Sequence, residues 1–344
     1  MSSKSLVFSH QRDVVFALSH FFESVDVFTT ELSLSPLPRN VRVFLLPWKP
    51  QSPVGNVLLI ARVLYPVLMQ NRTSVLFTHM ADVHAAILSP FAWLLRIRHI
   101  FWYAHATNSK YLIWSSFFVS KIVSSTPGSC NLSLNKRKIH FINQGVNHES
   151  FPFSARAANR VCKIVYYGRL DSSKNIHLFP QLLSQLNFSE DLYTLDIFGR
   201  PTNRESEMYL SDIVSKQKLR KLDSSISFNG PIERSQIPAM VGKYNTFINL
   251  FSGSLDKTLI EATFMGLPVI TWNREYCSQF GTWSNSSASE SLDFIVKEFE
   301  SINSLKESEL QAEINRRLDL AVRSHSFEGW ISRLVGVLKE GEAS

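Results

Sequence analysis

The sequence of 344 residues predicts an α/β protein made of two doubly wound, mostly parallel sheets. Three observations lead there. Short apolar strands alternate with amphipathic helices along the whole chain. The alternation breaks once, near residues 151–160, and then restarts. Three strands beyond the break end in glycine. Short continuous apolar strands between helices point to sheets covered on both faces.

Taken in order, residues 5–10 read as a strand and 12–23 as a helix. Residues 25–30 and 41–47 read as strands, 56–70 as a helix, 74–79 as a strand and 81–95 as a helix. Strands at 100–105, 122–125 and 139–143 follow, with a helix at 109–120 among them. The run from Val54 to Met69 is broken by Asn56 and Arg62 and is too short to span a membrane, so a buried helix is expected. Residues 151–160 carry Pro152, small residues and two arginines, and read as a linker. After it come strands at 162–168, 193–199, 226–230, 246–251 and 268–272. Helices are expected at 175–188, 205–218, 235–243 and 257–265. An acidic amphipathic stretch spans about 290–320, and a last helix covers 327–338. The pattern is that of two Rossmann-like domains facing a cleft. Their expected bounds are 1–152 and 160–322, with a C-terminal helical segment, 323–344, packing back towards the first domain.

Composition limits the function classes. The apolar and aromatic content argues against disorder. Cys130, Cys162 and Cys277 have no metal-ligand spacing, fit a reducing compartment and read as structural. Residues 1–10 lack the apolar core of a cleavable signal. Residues 1–150 hold 14 Lys+Arg against 6 Asp+Glu, so the net charge of +7 comes from the first half. Candidate basic patches are Arg39/Arg42/Lys49, Arg96/Arg98 and Lys136-Arg137-Lys138. Beside Phe91, Trp93, Leu94 and Leu95 they suit an anionic membrane surface. Ordinary solvated surface is the alternative. No nucleic-acid module is visible, and no nucleic-acid partner is expected.

Two segments carry chemistry. In the first, Asn249-Leu250-Phe251-Ser252-Gly253-Ser254-Leu255-Asp256-Lys257-Thr258-Leu259-Ile260-Glu261-Ala262 runs on to Gly266-Leu267-Pro268-Val269-Ile270. It reads as strand, small-residue turn, helix, turn, strand. A helix start there offers unpaired N–H donors and the positive end of a dipole to a phosphate. Glu261 places a carboxylate nearby, as a nucleotide ribose would require. In the second, Tyr167-Gly168-Arg169-Leu170-Asp171-Ser172-Ser173-Lys174-Asn175 sets an Arg and a Lys across a turn, fit to clamp a diphosphate from two sides. Surface charge is the rival reading of that pair, and plain turn chemistry the rival reading of Gly168, Gly199 and Gly230 taken singly.

Together these segments resemble the group 1 (family 4) retaining glycosyltransferases, which have the GT-B fold. Asn143-Gln144-Gly145-Val146-Asn147…Phe151 is similar to that family's hinge entry. Gly168-Arg169-Leu170…Lys174-Asn175 is similar to its phosphate-binding turn, and Ser254 to Ile270 to its donor loop and following strand. The resemblance covers roughly residues 75–340; the first 70 share only the α/β pattern.

It implies transfer of a sugar from a UDP- or GDP-sugar to a glycan or lipid-linked glycan, with retention by front-face attack. It implies no cofactor and no metal, the cations replacing one. Arg169 and Lys174 would neutralise the leaving diphosphate, and the Ser254–Thr258 backbone, through Leu255, Asp256 and Lys257, would cradle phosphate or sugar hydroxyls. Glu261 would accept from the ribose, and Gly199 and Ile232 would lie near the base. His105 would contact the donor sugar, with a buried structural histidine as the alternative; His79 is a weaker acceptor candidate. Bacterial surface polysaccharide or lipopolysaccharide assembly, by a cytoplasmic enzyme peripheral to the inner face of the plasma membrane, is the implied setting.

Two departures stand out. Gly253 occupies the position of the family's first glutamate, where Asp256 is no positional replacement and is expected to act through its backbone. Ser9-His10-Gln11-Arg12-Asp13 replaces the paired glycines after the first strand. Other readings are a non-catalytic nucleotide-sugar-binding or scaffold protein, or another nucleotide-sugar enzyme such as an epimerase.

Overall fold

The computed structural model describes residues 9–30, 36–46, 52–70, 75–105, 107–154, 162–187, 193–219 and 225–340. They fall into two compact units. The described residues within Met1–Ser125, Ser129–Ile142 and Glu328–Ser344 form the first, and those within Thr126–Gly128 and Asn143–Phe327 the second. Each has parallel sheets covered by helices, the fold class that the alternating pattern predicts.

The first unit opens with helix α1 (Ser9–Leu18), then strands β1 (Val25–Thr29) and β2 (Val41–Leu45), which pair parallel. The strand expected at 5–10 is corrected only at its end, where Ser9 and His10 begin α1; the remaining residues lie outside those described. Val14 and Leu18, four apart, are both buried, as the helix expected from residue 12 requires. The same helix takes up Ser9-His10-Gln11-Arg12-Asp13, which is helical turn rather than loop. It ends at Leu18, short of the expected residue 23. There the Asn40 side chain donates to the carbonyls of Ser19 (2.7 Å) and Phe22 (3.0 Å), capping from 21 and 18 residues away.

Helix α2 (Pro53–Gln70) buries one stripe, Asn56, Ile60, Leu64 and Leu68, while Val57, Leu58 and Met69 are exposed. It is therefore amphipathic, with one face buried as expected and the other exposed. No helix among the described residues is long and apolar enough to cross a membrane. The main sheet follows, with β3 (Val75–His79), α3 (Asp82–Leu94), β4 (Arg98–Trp102), α4 (Lys110–Phe118), β5 (Lys121–Ser124) and β6 (Ile139–Phe141). Its strand order is β3-β4-β5-β6, all parallel. Every crossover steps the same way, so α3 and α4 lie side by side on one face. Phe101, Leu112, Val119 and Ile122 fill the core beneath them.

In the second unit the strands are β7 (Lys163–Arg169), β8 (Thr194–Arg200), β9 (Ile226–Phe228), β10 (Thr246–Asn249) and β11 (Val269–Thr271). Their order is β11-β10-β7-β8-β9. The first strand in sequence is central, so the chain winds outward one way and then returns to wind the other. Helices α5 (Phe179–Leu186), α6 (Arg204–Leu219), α7 (Ile237–Val241) and α8 (Lys257–Phe264) make the connections. Separate apolar clusters cover the two faces. The acidic stretch near 290–320 resolves into α10 (Leu292–Ser304) and α11 (Glu307–His325), preceded by α9 (Arg274–Phe280). The last helix, α12 (Phe327–Lys339), sets Trp330 edge-on to Trp102 of the first unit's sheet, with ring centroids 5.1 Å apart.

The linker expected at 151–160 is corrected at its start. Phe151 is buried in the second unit's core, following a 3-10 turn at His148–Ser150. Residues 155–160 of that expectation lie outside those described.

Candidate functional site

A doubly wound sheet binds its ligand where strand order reverses, beyond the carboxyl ends of the two central strands. Here those strands are β7 and β10. The first ends in Gly168-Arg169, the second in Asn249, so both motifs singled out from the sequence start at the same sheet edge.

The turn after β7 carries Lys174 inward. Asp171 caps a 3-10 turn, Ser172–Lys174, by accepting from the Ser173 N–H (3.1 Å). Asn175 then takes a left-handed conformation (φ 55°), and its amide donates to the Leu250 carbonyl across the switch point at 2.9 Å. Lys174 is 4% exposed. Its Nζ lies 2.6 Å from Asp256 Oδ2 and 3.6 Å from the centre of the Phe251 ring. Arg169 sits differently. Its side chain is exposed, 3.6 Å from Asp171, and does not share Lys174's carboxylate partner.

Asp256 joins the two motifs. Its Oδ1 accepts from the Thr258 N–H (3.2 Å) as the N-cap of α8, and its Oδ2 accepts from Lys174 and from the Asn249 amide (3.3 Å). Burial works to raise this carboxyl. The Lys174 charge and hydrogen bond, the Thr258 N–H and the Asn249 amide outweigh it and hold the group below the usual carboxylate range. The Asp256 carboxylate is therefore the hub of the turn.

The loop between β10 and α8 is held from behind. Asn273, fully buried, donates its amide to the carbonyls of Phe251 (3.0 Å) and Gly253 (3.0 Å), while its Oδ1 caps α9 through the Tyr276 N–H (3.0 Å). Trp272 Nε1 donates to Leu250 O (2.8 Å) and Gln144 Nε2 to Leu255 O (2.9 Å). With its carbonyls occupied, the loop presents Gly253, Ser254 and Lys257 from a fixed frame. Replacing Asn273 with Ala strands two carbonyls and removes a cap, so we expect a stability loss of about 2–4 kcal/mol. Urea unfolding reads this directly; an unchanged midpoint contradicts the role.

Gly253 has a steric reason. A Cβ there would lie 2.2 Å from Cζ of Phe251, the ring beneath the Lys174 ammonium. The absent carboxylate and the aromatic ring are thus one local arrangement. Gly199 is also explained by packing, since a Cβ would stand 2.0 Å from the Gly168 carbonyl of the neighbouring strand.

Glu261 lies on α8 one turn beyond Lys257 and is buried, paired with Arg234. Arg234 opens a 3-10 turn after β9 and rests 5.1 Å from the centre of the Phe151 ring. Burial pushes the Glu261 carboxyl above its ordinary value; Arg234 opposes this and Asp256 adds to it. Burial also pushes the Lys257 ammonium down to about 8, reinforced by Arg234 and resisted by Glu261. Ile232, just before Arg234, packs partly buried on the same core. Thr258 Oγ1 is 3.2 Å from the Asn249 amide, and its carbonyl accepts from Tyr167 (3.3 Å).

In the first unit, His79 ends β3 with its ring stacked 6.0 Å from Trp102, and His105 follows β4, exposed and edge-on to Tyr103 at 5.3 Å. Both stand at the carboxyl edge of that sheet. Elsewhere in the second unit, a cavity of about 560 Å³ lies along Phe151, Phe153, Phe264 and Leu318 and includes none of the expected donor residues. The residues that sequence reasoning missed are Arg234, Asn249, Phe251 and Asn273.

No protein-family model and no curated protein matches this chain. Solved structures do. A glycosyltransferase from Rickettsia africae is 11% identical, with 99% of this chain and 96% of that one covered at a TM-score of 0.76. Sucrose-phosphate synthase from Thermosynechococcus elongatus is 13% identical, with 97% and 93% covered at 0.74. HepE of Anabaena, solved with UDP and glucose, is 11% identical, with 98% of each chain covered at 0.73. The chain therefore has the GT-B fold.

Proposed function

We propose that this chain is a retaining glycosyltransferase that moves a sugar from a UDP- or GDP-sugar to a glycan or lipid-linked glycan. Fold alone assigns no chemistry. The observation that carries the reading is the switch-point site, where a buried lysine, a helix N-terminus and a buried carboxylate meet at one sheet edge. The second unit is the donor side and the first the acceptor side, with α12 completing the latter. Lys174 and Arg169 take up charge that develops on the leaving diphosphate, the α8 turn holds the phosphates, and Glu261 takes the ribose hydroxyls. Ile232 and Gly199 flank the base, His105 meets the donor sugar, and His79 serves the acceptor. The reaction is front-face, with the leaving phosphate accepting the incoming hydroxyl's proton. The setting is bacterial surface polysaccharide or lipopolysaccharide assembly, by a cytoplasmic enzyme peripheral to the membrane. The HepE complex with UDP and glucose supports the donor class.

Gly253 favours a second reading, nucleotide-sugar binding without transfer, because the position lacks a carboxylate. Purified protein, incubated with radiolabelled nucleotide sugars and a lipid-linked acceptor, separates the two: transfer supports the enzyme, and binding across a donor panel without transfer supports the second. Glu261→Gln is expected to weaken uridine and UDP alike, by about tenfold, since a charge-assisted hydrogen bond to ribose becomes a neutral one in both. Calorimetry showing a loss confined to UDP contradicts the ribose assignment.

A further inference from the structure

We propose that the C-terminal ends of α3 and α4 form a docking face that inserts into an anionic lipid bilayer. The inference deepens the membrane half of the reading above and rests on it there alone. Trp93 (63% exposed), Leu94 (72%) and Phe91 project from the end of α3, and Trp114 (51%) and Phe117 (55%) from α4. Trp93 and Trp114 are joined through Phe118. Phe118 lies edge-on to Trp93 at 6.2 Å and 5.1 Å from Trp114, whose indole donates to the Ala86 carbonyl on α3. Large aromatic side chains with a polar handle suit the bilayer interface.

The rim is cationic. Arg96 follows α3 directly. Lys138 donates to the Ser116 and Phe117 carbonyls at the end of α4 (2.8 and 3.2 Å), which brings exposed Lys136 and Arg137 beside the aromatic face. Residues 83–148 contain no Asp or Glu, against 7 Lys+Arg. A second copy of the same face would bring like charges together, so an anionic bilayer is the occupant that the charge favours. Helices run opposite to the strands they connect. Their C-terminal ends therefore lie at the amino edge of the sheet, away from the carboxyl edge that bears His79 and His105. Insertion leaves that edge open.

The test is flotation of the full chain with vesicles of equal parts phosphatidylglycerol and phosphatidylcholine, set against phosphatidylcholine alone. We expect salt-sensitive association with the anionic vesicles. Trp93→Ser/Leu94→Ser is expected to weaken it about tenfold, and Lys136→Glu/Arg137→Glu to weaken it and flatten its salt dependence. These positions are exposed, so UDP binding by calorimetry should be unchanged in both variants. No association at low salt overturns the proposal, and so does equal flotation of Trp93→Ser/Leu94→Ser and the parent. A concentration-dependent dimer abolished by Trp93→Ser/Leu94→Ser, without vesicle binding, makes the face an interface between copies and also overturns it. Flotation of a parent protein that binds no nucleotide leaves this face standing and removes the transferase reading.

Discussion

Lys174→Met should lower the stability of the protein by about 3–5 kcal/mol, because it leaves the Asp256 carboxylate buried without its cation. If Lys174 serves the diphosphate as proposed, the same substitution should nearly abolish UDP binding while leaving uridine binding close to normal. The two effects separate in Lys174→Met/Asp256→Asn. Asparagine still caps α8 and replaces the charge with a neutral amide, so much of the stability should return while UDP binding does not. Guanidinium unfolding and calorimetry on the three proteins give the answer. Full recovery of UDP affinity in the double variant would refute a phosphate role for Lys174.

The pH dependence has a definite sign. The Asp256 carboxyl titrates lower in the folded protein than its ordinary value of 3.8. Its contribution is therefore complete above that value and disappears as pH falls through the depressed folded value. The parent should lose stability more steeply below pH 3.8 than Lys174→Met/Asp256→Asn. Parallel acid-unfolding curves would contradict the pairing.

Gly253→Glu carries the second large effect. The new Cβ meets the Phe251 ring at 2.2 Å, and a ring packed against Lys174 and its loop has little freedom to give way. Overpacking of this kind costs about 1–3 kcal/mol, and a displaced ring also uncovers the Lys174 ammonium. Phe251→Ala/Gly253→Glu removes the clash and should regain stability relative to Gly253→Glu alone. The coupling between the two positions should reach about 1 kcal/mol or more in a double-mutant cycle. Additive effects would mean that the ring and the glycine are independent. The double variant also places an acid in the loop before α8. A change in donor preference across a nucleotide-sugar panel would tie this pair to sugar choice.

The periodic parts of this fold were readable in advance. Runs such as Ile100 to Trp102 are apolar without alternation because both faces of the strand are covered, and the helices between them show their buried stripes. Two segments of the site could be found because glycine, lysine and the helix start are local features. The rest depends on contacts that no local pattern records. Asn40 ends α1 from 21 residues away, and Arg234 meets Glu261 across 27. Nothing in the sequence around Asn273 shows that its amide holds the loop between β10 and α8. The gap at Gly253 was visible, but not the ring that fills it, because Phe251 looks like the end of a strand. At the amino terminus the helix was readable, but its stop at Leu18 was not, because Asn40 sets it from a distant part of the chain.

The scarcity of acidic residues in the first unit bears on handling as well as on function. Between residues 32 and 148 the sole acidic residue is Asp82, whereas 12 are Lys or Arg. While unfolded or newly made, that stretch is a polycation able to condense on any polyanion, messenger and ribosomal RNA included. RNA that copurifies at low salt and washes away at high salt would report this excess of charge, not a recognition function. Affinity measurements on the protein should begin only after such material has been removed.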